Sequence, residues 1–162
     1  MDRVLHRSVR LRCSTALAFE LFTLNTHLQE WLAEAADVEP VVGGRYEIFW
    51  DPENREVNST LGCRVTAVQG GELIAFEWRG PVQFRDVMND ADPLTHVVVA
   101  FMPSSTDANW TDVHIIHSGW RSGPEWAAAA DYFEKAWSLS LARLERLVNE
   151  GSLSLSEAAD GA

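Results

Sequence analysis

The feature that most constrains this chain is an apolar stripe near its carboxy-terminal end. Trp126, Ala130, Phe133, Trp137, Leu141, Leu144 and Val148 recur at spacings of four and three, which puts them on one face of a long amphipathic helix. Gly123-Pro124 supplies the start, with Ser122 as a cap and Glu125 in the first turn, and Asn149-Glu150-Gly151 supplies the stop. At about 1.5 Å per residue such a helix is about 34 Å long. A stripe of that length needs a broad, concave partner surface. Small Ala127 to Ala130 beside bulky Phe133 and Trp137 suit either a helix bordering a cavity or a fully packed core.

With 162 residues, the expectation is a single domain over residues 1–150, burying roughly 70% of its unfolded surface without staples. Residues 151–162, rich in Ser, Ala and acid, lose the stripe and are expected to form a flexible tail. The formal net charge is −11, from 24 acidic and 13 basic residues with no basic block. That balance argues against nucleic acid and anionic membrane as partners. Cys13 and Cys63 lack CxxC spacing and fall within or at the ends of apparent strands, so buried free thiols in a reducing compartment are expected. No apolar run approaches the ~18 residues of a membrane span, and no signal-peptide core follows Met1-Asp2-Arg3. A soluble, cytoplasmic protein is the consequence.

Residues 5–13 alternate, with Leu5, Arg7, Val9, Leu11 and Cys13 on one face and His6, Ser8, Arg10 and Arg12 on the other, predicting a strand with one solvated face. Ser14-Thr15 caps a short helix carrying Leu17, Ala18, Leu21, Phe22 and Leu24, and Asn25-Thr26 starts another through Leu28, Trp31 and Leu32. After the break at residues 40–44, residues 45–50, 59–68, 73–79, 95–102 and 110–117 read as antiparallel strands separated by turn-forming residues. Residues 80–94 are irregular and long enough to be either disordered or the rim of a pocket. The order predicts an α+β fold: a curved antiparallel sheet of about six strands wrapping the long final helix, with two short helices after the first strand. The hollow between sheet and helix is where a ligand would lie.

Several local patterns resemble one family. They are Ala18-Phe19 with Phe22-Thr23, Trp31 ending the second helix, Val42-Gly43-Gly44-Arg45-Tyr46, Leu73 to Trp78, and the run from Val113 to Trp120. From about Val4 to Val148 the chain is similar to the START-like, or SRPBCC, superfamily, the helix-grip fold of the birch-pollen allergen. Within it, the chain resembles the group homologous to the activator of the ninety-kilodalton heat-shock protein's ATPase. Two departures stand out. Thr23-Leu24-Asn25 replaces the family's common Thr-Asp-Pro junction, and the segment from Gly80 to Leu94 is longer than usual. The eukaryotic chaperone activators also carry an amino-terminal chaperone-binding domain for which this chain has no room, so chaperone activation is not carried over from the resemblance.

Chemistry-bearing patterns are sparse. His114 and His117 stand three apart on a strand and so face opposite ways, and His6, His27 and His96 lack metal-ligand spacing. No metal and no cofactor are expected. There is no GxSxG, HExxH or glycine-rich phosphate loop. His117 either points into the hollow or holds the turn into Gly119-Trp120 by hydrogen bonding. Glu47, Arg64, Glu77 and Arg79 are the charged strand residues, with Glu77 and Arg79 on the face opposite Ile74, Phe76 and Trp78.

Seven tryptophans are a high count for 162 residues. Trp31, Tyr46, Ile48, Trp50, Phe76, Trp78, His117, Trp120, Trp126, Phe133 and Trp137 are the candidate cavity walls, because aromatic faces suit an apolar or conjugated guest. Plain core packing is the competing reading of each. The expected function is binding of a small hydrophobic molecule between sheet and helix. A cyclase- or dehydratase-type enzyme using the same cavity is one alternative, and a chaperone-interaction or homodimerisation module is another.

Overall fold

The computed structural model describes residues 3–151, so the expected tail lies, from residue 152 onward, outside the described residues. Strand β1 (Leu5–Leu11) buries Leu5, Val9 and Leu11 and exposes His6, Ser8 and Arg10, as its alternation predicts. Helix α1 (Thr15–Leu21) follows, its Leu17 amide donating to the Ser14 hydroxyl at 3.1 Å. Helix α2 (Asn25–Trp31) has no side-chain cap; the Asn25 carboxamide instead accepts from the Val38 amide at 2.9 Å. The remaining elements are β2 (Ala35–Val38), β3 (Tyr46–Phe49), β4 (Val65–Gln69), β5 (Leu73–Trp78), β6 (Thr95–Pro103), β7 (Thr111–Ser118) and α3 (Pro124–Asn149).

All strand pairings are antiparallel, in a sheet of order β1-β7-β6-β5-β4 and a β2-β3 hairpin. Backbone bonds stitch the two together: the Tyr46 amide donates to the Cys63 carbonyl at 2.9 Å and the Val65 amide to the Gly44 carbonyl at 2.8 Å. The result is one curved wall, an α+β helix-grip architecture. Gly44 is required at this seam, because a Cβ there would stand 2.3 Å from the Glu39 carbonyl oxygen.

Three differences from the expected elements have local causes. Strand β2 has no counterpart among the expected strands, since Ala35-Ala36-Asp37-Val38 is short, mostly half-buried and without alternation. The strand expected over 59–68 is regular only from Val65; earlier residues join β3 through isolated bridges such as Phe49 to Ser59. Residues 80–94 are not uniformly irregular. Residues 82–84 form a 3₁₀ turn and residues 85–89 a π turn, with Met88 fully buried. The Asn89 carboxamide closes their base, accepting from the Gly80 amide at 2.7 Å and donating to the Gly80 carbonyl at 3.1 Å.

Helix α3 starts after Gly123, with Pro124 in its first turn and without the cap expected from Ser122. It buries Ala129, Ala130, Phe133, Trp137, Leu141 and Leu144 against the sheet. Its flank is tied to β1 by ion pairs from Arg3 and Arg7 to Glu134, and by the Asn149 carboxamide, which bonds the backbone of Arg10 and Arg12. These exposed ion pairs orient the helix more than they stabilise it; burial of its apolar face contributes most of the stabilisation. Cys13 and Cys63 are free and buried. Among the described residues no helix is long and apolar enough to cross a membrane.

Candidate functional site

The hollow beneath α3 is largely filled by an aromatic column. Tyr46 stacks on Phe76 with centroids 3.6 Å apart, Phe76 meets Trp78 at 5.6 Å, Trp78 meets Trp137 at 5.2 Å, and His117 sits among Trp120, Phe133 and Trp137. Tyr46 also donates its hydroxyl to the Phe22 carbonyl at 2.7 Å, and burial pushes its pKa far upward. Such a site is packed core.

His117 is fully buried, and its bonding fixes its proton. The Trp137 Nε1–H can only donate, so the His117 Nδ1 it meets at 3.1 Å is the acceptor. The remaining ring proton therefore sits on Nε2 and is directed at the Thr95 hydroxyl, 3.0 Å away, which in turn donates a hydrogen bond to the Trp78 carbonyl at 3.1 Å. Trp120 completes the arrangement by donating Nε1–H to the His117 carbonyl at 3.0 Å. Burial, with a smaller contribution from nearby His96, lowers the His117 pKa to about 3. This is a neutral imidazole with both nitrogens engaged, which joins the sheet to α3 and the Gly119-Trp120 turn.

Open space lies at the end of this column instead. A cleft of about 200 Å³ is bounded by Trp78, Arg79, Gly80 and Pro81 after β5, by Trp50, Asn58 and Ser59 beyond β3, by Leu32 and Gln83, and by Tyr132, Phe133, Ala136, Trp137 and Ser140 on α3. Trp50 stands at its side, 39% exposed, its Nε1–H held by the Leu32 carbonyl at 2.9 Å. Beyond Trp50 a wider depression between α2 and α3 is lined by Trp31, Glu30, Glu34, Leu139 and Arg143, and shares Leu32, Trp50 and Ser140 with the first.

Of the residues expected as walls, Trp50, Trp78, Phe133 and Trp137 border the cleft, and Trp31 borders the outer depression. Tyr46, Ile48, Phe76, His117 and Trp120 are buried in packed surroundings, and Trp126 lies half-buried under the Arg121 guanidinium. Arg79, the first residue after β5, also borders the cleft, while its guanidinium lies beside Gly62. Leu32, Tyr132, Ala136, Gln83 and Ser140 join the walls without having been expected there. The stripe's neighbouring ridge, 132-136-140, is the signal that could have found the helix contributions.

Among the described residues no Asp, Glu, His, Cys or Lys lines the cleft, whose titratable walls are Arg79 and Tyr132. Among the described residues there is also no group of three His, Cys, Asp or Glu side chains placed to hold a metal ion. Acid–base chemistry at these walls would thus have only a guanidinium and a phenol to draw on.

Residues 12–149 match the family described as Activator of Hsp90 ATPase homolog 1-like protein. The chain belongs to that family. No curated protein matches it, but solved structures do share its fold. A Mesorhizobium loti protein is 23% identical with a TM-score of 0.73, over 93% of this chain and 100% of that one. The Aha1 dimer from Colwellia psychrerythraea is 16% identical with a TM-score of 0.67, over 90% and 96% of the two chains. An HSP90 activator from Plasmodium falciparum is 16% identical with a TM-score of 0.65, over 89% and 92%. At these identities the structural likeness establishes the START-like fold.

Proposed function

We propose that this family member binds a small, largely hydrophobic molecule in the cleft between α3, the end of β5 and Trp50. The observation carrying this reading is an open slot of about 200 Å³ walled by Leu32, Trp50, Trp78, Phe133, Ala136 and Trp137. Its size suits a guest of one or two rings, since sites for drug-sized ligands begin at about 300 Å³. Structures of the same fold include a dimer and an HSP90 activator, which makes assembly or chaperone-related work a broader option for the family. The aromatic slot favours ligand binding here. A cyclase- or dehydratase-like role is less favoured, because among the described residues no carboxylate, imidazole or thiol lines the slot.

Titration with a neutral two-ring aromatic, 2-naphthamide, tests the reading through intrinsic tryptophan fluorescence. Saturable one-to-one quenching is expected, and Ala136→Phe, which fills the slot from the helix side, should abolish it while leaving the fold intact by circular dichroism. Absence of saturable quenching, or an undiminished response in the folded Ala136→Phe protein, would remove the proposal.

A further inference from the structure

Two open spaces meet at one side chain. The inner slot of about 200 Å³ and the outer depression of about 380 Å³ share three bordering residues, Leu32, Trp50 and Ser140. Trp50 is by far the largest of them. It follows directly on β3, where its amide donates to the Asn58 carbonyl at 3.3 Å and the preceding Phe49 is buried. From that anchor the indole reaches across to α2. Its Nε1–H donates to the Leu32 carbonyl at 2.9 Å, and Leu32 caps the end of that helix, where backbone acceptors are left without partners. On its other side the ring meets Trp78 edge to face, with centroids 6.0 Å apart at 77°, a favoured aromatic geometry. The hydrogen bond and the ring contact hold one rotamer in place even though the residue reaches solvent.

Resting on the ligand-binding reading above, we infer that Trp50 is a specificity-determining residue: its indole is the partition that ends the slot and so limits the length of the guest. The slot alone is smaller than the sites of about 300–1,000 Å³ that hold drug-sized ligands, whereas slot and depression joined fall within that range. Beyond the partition the depression continues with apolar borders at Trp31, Ala33 and Leu139. A guest with a third ring in line with its first two has to displace the indole to reach them. Displacement costs the bond to Leu32 and the contact with Trp78, a penalty that a two-ring guest does not meet. Discrimination by length thus rests on one rotamer rather than on the depth of the cleft.

The test compares 2-naphthamide with its three-ring homologue 6-phenyl-2-naphthamide, both uncharged, by calorimetry on the full chain at pH 7. Wild type should bind the two-ring probe about tenfold more tightly, a readout that needs no variant to fold. Trp50→Ala should reverse the order, with the longer probe gaining about tenfold or more from burial of its added phenyl ring. A charge placed in the outer depression separates passage through the partition from a general loosening. In the Trp50→Ala background Leu139→Glu should cancel the longer probe's gain, and in wild type it should leave naphthamide affinity unchanged, because Leu139 borders the depression and not the slot. Equal binding of both probes to wild type, an unchanged ratio in Trp50→Ala, or a gain indifferent to Leu139→Glu would overturn the partition while leaving the hydrophobic slot standing. Failure of wild type to bind either probe would overturn both readings together.

Discussion

Replacing His117 with Gln should flatten the acid side of the protein's stability curve. A histidine in the unfolded chain titrates near 6.5, whereas burial holds His117 at about 3 in the fold. Between those values the unfolded state takes up a proton that the folded state refuses. The stability contributed by keeping this ring neutral is therefore complete above pH 6.5 and is lost as pH falls toward 3. A difference of about 3.5 units corresponds to roughly 4–5 kcal/mol over the whole window, of which about 2 kcal/mol falls between pH 7 and pH 5. That upper part of the window lies above the range in which ordinary carboxylates protonate, so it isolates histidine. Urea unfolding followed by tryptophan fluorescence at pH 7, 6 and 5 should show wild type losing about 2 kcal/mol. His117→Gln should start lower, by about 1–3 kcal/mol, because the Trp137 Nε1–H loses its acceptor, and then stay nearly level. His96, whose pKa burial also lowers against the opposing pull of Glu77, acts in the same direction, so His96→Gln is the control. Parallel curves for wild type and His117→Gln would refute the reasoning.

Two further outcomes follow from the seam and from the thiols. Gly44→Ala drives a methyl into the backbone of Glu39 and should cost about 3 kcal/mol or more, at or above the upper end for overpacking. Gly43→Ala, with open space but a φ of 84°, should cost only about 1–2 kcal/mol; chemical denaturation of both variants checks the order. Burial raises Cys13 to about 11 and Cys63 to about 12. Neither thiol should react with Ellman's reagent at pH 8 until denaturant unfolds the chain, and rapid labelling in native buffer would contradict their placement.

The helix was legible because its stripe repeats over many turns, and the alternation of β1 was legible because one face meets water. Four-residue β2 lacked both signals; its pairing with β3, Val38 against Tyr46 and Ala35 against Phe49, arises from tertiary packing that no local pattern announces. The aromatic set was recognisable as a group but not residue by residue. Trp78 and Phe76 stand two apart on one face of β5, yet one borders open space and the other is stacked under Tyr46. Strand parity tells which face a side chain takes and says nothing of how far along the strand the filling ends.

The slot's position follows from that stopping point. Strand β5 closes at Trp78, and the chain turns away through Gly80, where a Cβ would crowd Met88 Sδ at 2.6 Å. The α3 ridge at Tyr132, Ala136 and Ser140 borders the cleft, while the adjacent ridge at Phe133 and Trp137 reaches the core. Large side chains at 136 and 140 would reach across to Trp50 and Trp78 and close the space. Ala136 and Ser140 are too short to do so, and apolar walls facing one another across a gap lose the dispersion contacts that a packed core would supply. A flat guest in the proposed site would restore those contacts on both sides at once, so that for such binding the two small residues on the second ridge would weigh more than the bulky residues on the first.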